Sequence, residues 1–151
     1  MKFETFDEII TYAIEKEKQA VAFYEDLSRH ERSSDIKDTF QSFVKDEQKH
    51  VYILTNYSKK NIADYKVKKI QDLQRSDYIV DMDYEPGMAY PDILRLAMKR
   101  EEKAVKLYED LSKQMEIGEN KKLFDVLAQE EKKHKLKIET IFDDLMLERG
   151  D

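Results

Sequence analysis

Six ionisable side chains stand where the helical pattern of the sequence requires buried apolar residues. They are Glu17, Glu47, His50, Glu101, Glu131 and His134. Each falls on a stripe of apolar residues spaced three and four positions apart, which is the period of an α-helix. Carboxylates are almost never fully buried unless something pairs with them, and no Lys or Arg lies on these stripes. The pattern therefore predicts that bound cations neutralise these groups.

The spacing of these residues indicates that they meet at one level of the fold. Thirty positions separate Glu17 from Glu47, and the same interval separates Glu101 from Glu131. A turn near the middle of each interval gives an antiparallel helical hairpin with arms of equal length. His50 follows Glu47 by three positions, so these two side chains share one helix face, and the second half of the chain repeats the pair.

Four carboxylates and two imidazoles would then converge in one core. Without a bound cation, such a core holds up to four like charges and must protonate or swell. Two divalent cations balance the four carboxylates, and neutral imidazoles complete the ligand shells. Oxygen-rich ligation with one histidine per ion suits iron or manganese better than a four-coordinate structural zinc site. The charge count therefore predicts a dinuclear metal site.

An internal repeat places the two halves of this set in equivalent positions. Shifting the sequence by 84 residues without a gap aligns AVAFYEDLS, which begins at residue 20, with AVKLYEDLS at residue 104. The same shift aligns the two glutamates and the histidine of the first half with those of the second. We infer that the chain consists of two copies of one helical unit.

Each copy is predicted to contain two helices. The apolar stripes predict helices near residues 5–30, 34–58, 91–116 and 119–148. Pro91 suits the first turn of the third helix, and Gly118 marks the break before the fourth.

The segment that joins the two copies, residues 59–90, is too long for a hairpin turn. It can span a helix of about 37 Å, so the third helix can start parallel to the second. The sequence thus predicts an all-α, up-down-down-up four-helix bundle with one long crossover between the second and third helices. We expect residues 1–151 to form a single domain built from hairpins at 5–58 and 91–148, with a short helix near residues 62–73.

The composition argues against several other classes of protein. Three Gly and two Pro are too few for an all-β fold with many tight turns. The absence of cysteine excludes disulfides, thiol catalysis and iron–sulfur clusters. A net charge of −6 argues against a nucleic-acid partner. No apolar run is long enough for a membrane span, so we expect a cytoplasmic protein without a membrane partner.

The ligand pattern, one Glu on each of two helices and Glu-x-x-His on each of the other two, resembles that of the ferritin-like di-iron carboxylate superfamily. Within this superfamily, the chain is most similar to the rubrerythrin family. The similar segments are AIEKEKQAVAFYEDLS with FQSFVKDEQKH, and AMKREEKAVKLYEDLS with LFDVLAQEEKKH. They cover nearly the whole chain apart from the crossover.

The resemblance implies two iron ions as cofactors, with manganese as the alternative metal. It implies that the carboxylate ligands are Glu17, Glu47, Glu101 and Glu131, with Glu47 and Glu131 as bridges, and that His50 and His134 bind one ion each. It also implies that Tyr24 and Tyr108 act as catalytic residues, which hydrogen-bond ligand carboxylates or stand over open metal positions. The alternative for both tyrosines is a core position whose hydroxyl happens to find a partner.

Two positions depart from the patterns of related families. Typical rubrerythrins have an additional Glu where this chain has Ala104, which puts peroxidase activity of the familiar kind in doubt. Bacterioferritins have a haem-binding Met where this chain has Gln48, so no haem is expected. Because the chain has no cysteine, it has no rubredoxin centre, and electrons must come from an external donor such as a rubredoxin.

The function that this resemblance implies is a non-haem di-iron oxidoreductase that reduces hydrogen peroxide or oxygen, working as a homodimer. Two alternatives stay open. One is a ferroxidase or iron-handling protein, for which iron storage would require a hollow multi-subunit cage. The other is a non-catalytic ferritin-like bundle that acts as a binding module.

Overall fold

Four α-helices make up most of the described part of the protein. The computed structural model describes residues 2–60, 73–85, 87–115 and 118–149. The helices are α1 (Phe6–His30), α2 (Ser34–Lys60), α3 (Tyr90–Lys113) and α4 (Glu119–Glu148), and a short 3₁₀ helix covers Arg75–Tyr78. Within the described ranges there is no β-strand, so the predicted all-α class is confirmed.

The predicted helix bounds agree with the structure to within a few residues. The largest difference is at the end of α3, which was predicted near residue 116 and ends at Lys113. There the Gln114 N–H lies within hydrogen-bond range of the carbonyls of Asp110, Leu111 and Ser112, a tightened arrangement typical of helix ends. The short helix predicted near residues 62–73 lies almost entirely outside the described residues.

The N-terminus of α1 is fixed by a side-chain cap. Thr5 has an extended backbone, and its hydroxyl accepts a hydrogen bond from the Glu8 N–H at 3.3 Å. The Glu8 carboxylate in turn accepts from the Glu4 N–H at 2.9 Å. Two backbone donors at the start of the helix are thereby satisfied, which resembles a capping box with its return bond moved one residue earlier.

The helices form two compact units, one within residues 2–72 and one within residues 73–151. In the first unit α1 packs against α2, and Tyr24 stacks on Phe40 with ring centroids 6.0 Å apart. In the second unit α3 packs against α4, and Tyr108 stacks on Phe124 at 6.5 Å. The sequence repeat thus produces the same aromatic pair in both hairpins.

The end of the connector is fastened to the second hairpin. The Tyr78 hydroxyl donates a hydrogen bond to the Asp110 carboxylate at 2.8 Å. Lys106 lies over the Tyr78 ring and also pairs with Asp110 at 3.0 Å. The Lys103 ammonium donates to the Asp77 carbonyl at 3.2 Å. These contacts hold the residues before α3 along its outer side.

A polar network closes the second hairpin near its turn. The Ser112 hydroxyl of α3 donates to the Asp125 carboxylate of α4, and the Lys121 ammonium donates to both the carbonyl and the hydroxyl oxygen of Ser112. Gly118, immediately before α4, has a φ of +151°, which favours glycine. In the first hairpin the equivalent Ser28 donates only to a carbonyl of its own helix, that of Glu25.

Replacing Ser112 with Ala should therefore destabilise the protein more than replacing Ser28 with Ala. We expect Ser112→Ala to lower the free energy of unfolding by about 1 to 2 kcal/mol, because the Asp125 carboxylate loses its donor and the Lys121 ammonium loses one of its two acceptors on Ser112. Ser28→Ala should cost less than about 1 kcal/mol, since it removes one bond within a helix. Urea denaturation followed by circular dichroism measures both, and equal costs would contradict a role for the network in closing the hairpin.

None of the helices in the described part of the chain has the long apolar stretch that a bilayer crossing requires.

Candidate metal centre

The first hairpin brings together Glu17 from α1 and Glu47 and His50 from α2. All three lie on the core-facing stripes of their helices, and each is at most 3% exposed. The His50 Nδ1 atom lies 3.5 Å from a carboxylate oxygen of Glu17 and 3.5 Å from one of Glu47. The structure thus places these three predicted side chains at one level of the hairpin.

The second hairpin repeats this arrangement with Glu101 from α3 and Glu131 and His134 from α4. Each of these side chains is at most 4% exposed. The His134 Nδ1 atom lies 3.6 Å from a carboxylate oxygen of Glu101 and 3.8 Å from one of Glu131. In both hairpins, one oxygen or nitrogen atom from each of the three residues lies within 4.8 Å of the others. We call these sets the first and second triad.

The geometry of each triad fits a metal ion. The four nitrogen–oxygen separations, 3.5 to 3.8 Å, exceed the usual length of an N–H···O hydrogen bond. Two ligand atoms that bind one ion at about 2.1 Å can lie up to about 4.2 Å apart, so these separations suit atoms that share an ion. Two carboxylates and one imidazole are also a donor set that iron and manganese accept.

Burial gives each triad a strong preference for such an ion. Moving a carboxylate out of water is costly unless an opposite charge or hydrogen bonds replace the lost solvation. A divalent cation returns two positive charges to the two carboxylates of one triad. The chemistry of the donor set and its burial both favour a cation-binding role.

The two tyrosines predicted to be catalytic lie in the buried cores of their hairpins. Tyr24 and Tyr108 are each 1% exposed and follow Glu17 and Glu101 by seven positions, which is about 10 Å along a helix. Their rings stack on Phe40 and Phe124 in the next layer of the core. Their role toward the triads stays a prediction.

Tyr57 is a buried tyrosine that the sequence analysis did not identify. It lies on the core stripe of α2, seven positions after His50, and burial raises the pKa of its phenol to about 12. Its hydroxyl therefore stays protonated at neutral pH. The signal in the sequence was the two-turn spacing from His50, but the second repeat has Ile141 at the equivalent position, so the internal comparison did not reveal it.

Comparisons with known proteins identify a matching family model and two similar solved structures. The family model described as rubrerythrin matches residues 7–81 and 92–150. A Thermotoga maritima protein provisionally described as a ferritin-like diiron-carboxylate protein is 22% identical, with a TM-score of 0.83 over 95% of this chain and 97% of its own. A hypothetical protein from Pyrococcus furiosus is 24% identical, with a TM-score of 0.75 over 94% and 90% of the two chains. A search of curated proteins gives no match.

At these identities the two structural likenesses establish the fold. They confirm the predicted fold class, a ferritin-like four-helix bundle.

Proposed function

Because the chain belongs to the rubrerythrin family, we propose that its buried glutamates and histidines form a di-iron centre that reduces hydrogen peroxide or oxygen. The observation that carries this proposal is the buried triad of two carboxylates and one imidazole in each hairpin. Each triad offers ligands for one divalent ion, and two ions balance four carboxylates. Manganese is the alternative metal, since it accepts the same oxygen and nitrogen ligands.

Each of the six predicted ligands has a role in the proposed centre. Glu17 and His50 would hold one ion and Glu101 and His134 the other, and Glu47 and Glu131 are the carboxylates to which the family resemblance assigns a shared role.

When bound in the ferrous state, two iron ions supply the two electrons that convert hydrogen peroxide and two protons to two molecules of water. The side chains of the protein hold the ions, exclude bulk water and deliver protons. The phenols of Tyr24 and Tyr108 are the proposed proton donors, because helical side chains lean toward the N-terminus of their helix and hence toward Glu17 and Glu101. An external donor such as a rubredoxin returns the electrons to the di-iron centre, because this chain has no cysteine to hold a rubredoxin-type iron.

The test uses protein loaded anaerobically with two ferrous ions per chain. One equivalent of hydrogen peroxide should be consumed per chain, with oxidation of both ions, much faster than by the same iron free in buffer. Parallel reactions with oxygen identify the preferred oxidant, and loading with manganese tests the alternative metal. If the loaded protein reacts with neither oxidant faster than free metal does, the proposed activity is wrong.

Iron oxidation is the second candidate function, and the observation that favours it is the alanine at position 104. This position holds an additional Glu in typical rubrerythrins, and without it the remaining six ligands resemble those of ferroxidase centres equally well. Supplying excess ferrous iron under oxygen distinguishes the two. A ferroxidase continues to oxidise iron beyond two ions per chain without an added electron donor, whereas the proposed oxidoreductase stops after one turnover.

Replacing both core tyrosines with Phe should slow the reaction without removing the metal. We expect Tyr24→Phe/Tyr108→Phe to reduce the rate of peroxide consumption by about tenfold or more, since positioned proton donors contribute at least that much. The rings and their stacking on Phe40 and Phe124 are retained, so iron content should not change. Stopped-flow absorption and elemental analysis measure the two quantities. An unchanged rate in the double variant would assign both tyrosines to the core alone.

A further inference from the structure

The layer of the core next to each triad differs between the two hairpins. On α2, Phe43 and Val44 precede Glu47 by one turn of helix, and both are buried. The 84-residue shift places Leu127 and Ala128 at the corresponding positions of α4, where they are buried as well. The second hairpin therefore has two smaller aliphatic side chains where the first has an aromatic ring and a valine.

The facing helices show no such difference at this level. Ala20 and Val21 of α1 recur as Ala104 and Val105 of α3, one turn after the first glutamate of each triad. The stacked tyrosine and phenylalanine of the next layer are also present in both hairpins. At this level of the core, the two hairpins therefore differ on one helix only.

The side chains of this layer support a ligand of the first triad. Helical side chains lean toward the N-terminus of their helix, so Glu47 extends over the turn that carries Phe43 and Val44. The Phe43 ring lies edge-to-face with Tyr24, with centroids 5.2 Å apart, and its centroid is 6.2 Å from that of Phe40. A carboxylate that rests on side chains held in this way has few alternative rotamers. It therefore loses little conformational freedom when it binds an ion.

The two triads differ in compactness in the direction that this support implies. His50 is 0% exposed, and its Nδ1 atom lies 3.5 Å from both carboxylates of the first triad. His134 is 4% exposed, and its Nδ1 atom lies 3.6 and 3.8 Å from those of the second. The second triad is the wider and more exposed of the two, as expected for ligands that rest on smaller side chains.

We propose that Phe43 and Val44 are positioning residues that make the first triad the stronger metal site, so that the two ions bind in order, the first triad before the second. This inference rests on the proposed function, since it concerns the ions of the proposed centre. Reduction of peroxide takes two electrons, one from each ferrous ion, so a chain that holds only its first ion cannot complete the reaction. The affinity of the second triad therefore sets the metal concentration at which the protein becomes active.

Isothermal titration calorimetry of the metal-free full chain with Mn²⁺ tests this order without any oxidant. Mn²⁺ accepts the same oxygen and nitrogen ligands as ferrous iron. We expect two binding steps whose Kd values differ by about tenfold or more, because residues that support metal ligands typically change the affinity by about 10- to 100-fold. Two identical triads would also bind in two steps, since a first cation repels a second. Ligand variants therefore assign each step to a triad.

The matched ligand variants are Glu101→Gln and Glu17→Gln. Glu101→Gln removes a ligand of the second triad and should leave the Kd of the first binding step within about threefold of its original value. Glu17→Gln removes the equivalent ligand of the first triad and should raise that Kd by about tenfold or more. Equal effects of the two substitutions, or a larger effect of Glu101→Gln, overturn the proposed order.

Exchanging the supporting side chains tests their role as positioning residues. Phe43→Leu/Val44→Ala gives the first triad the side chains of the second hairpin and should raise the Kd of the first step by about tenfold. The control is Phe6→Leu, the same kind of change at a buried position about 16 Å from Glu17 along α1, which should leave both Kd values within about threefold. Circular dichroism verifies that both variants fold. An unchanged first Kd in the double variant, or an equal rise in the control, overturns the proposal.

The outcomes separate this inference from the proposed function. A chain that binds no Mn²⁺ overturns both. A chain that binds two ions with equal affinity at the two triads, or at the second triad first, overturns the order alone, because the reaction with peroxide is measured on fully loaded protein.

Discussion

Glu101→Gln is expected to lower the iron bound per chain from two ions to one or fewer, whereas Glu102→Gln is expected to retain both. The two residues are neighbours on α3, but Glu101 is buried in the second triad and Glu102 is exposed. An amide keeps the size of the side chain and removes the charge that binds a cation. Anaerobic iron titration followed by elemental analysis measures the difference, and equal iron content in the two variants would contradict the ligand assignment.

The same substitution should change stability in opposite directions with and without metal. In metal-free protein, Glu101→Gln removes one buried carboxylate and should raise the free energy of unfolding by about 1 to 3 kcal/mol. With iron present, binding to the folded state alone stabilises it by about 2.7 kcal/mol when the free ion is at 100 times its Kd. The variant loses most of that stabilisation.

Denaturation with urea under both conditions therefore distinguishes a ligand from a merely structural residue. Replacing a glutamate that has only a structural role would destabilise the protein both with and without metal. Glu102→Gln is again the matched control, because it makes the same change of charge on the exposed side of the helix and should shift neither curve by more than about 0.5 kcal/mol.

The helices and both triads could be predicted from the sequence because they depend on periodicity and on the repeat. An interval of 30 residues between Glu17 and Glu47 determines that both lie at one level of a hairpin, and the second copy provides an independent instance. The structure places these carboxylates beside His50 at 3.5 Å, as the spacing requires. These predictions needed only the rise and period of a helix.

The end of α3 and the position of the connector could not be predicted in the same way. They depend on contacts between residues that are distant in sequence, such as the hydrogen bond from Tyr78 to Asp110 and the bond from Ser112 to Asp125. Neither contact leaves a periodic pattern. The aligned repeat also conceals them, because Ser28 and Ser112 look equivalent in the sequence but bond to different partners.

Truncation of the stacked aromatic pair should have the largest effect on stability. Phe124 is fully buried and stacks on Tyr108 at 6.5 Å. Phe124→Ala is expected to lower the free energy of unfolding by about 3 to 5 kcal/mol, because it loses buried apolar surface and leaves a cavity. Phe142→Ala on the same helix should cost less, since Phe142 is only partly buried and the Arg95 guanidinium lies over its ring. Urea denaturation of the metal-free proteins gives both values.

The repeat also suggests how to measure the contribution of one aromatic contact to stability. Phe40 is the counterpart of Phe124, and it contacts both Tyr24 at 6.0 Å and Phe43 at 6.2 Å. The second hairpin has a leucine where the first has Phe43, so the contact between Phe40 and Phe43 has no counterpart at that position of the repeat. Each aromatic pair contributes about 0.5 to 1.5 kcal/mol beyond burial. Phe40→Ala should therefore cost about 1 kcal/mol more in the original protein than in a Phe43→Leu background, and equal costs would mean that the contact between Phe40 and Phe43 contributes nothing beyond burial.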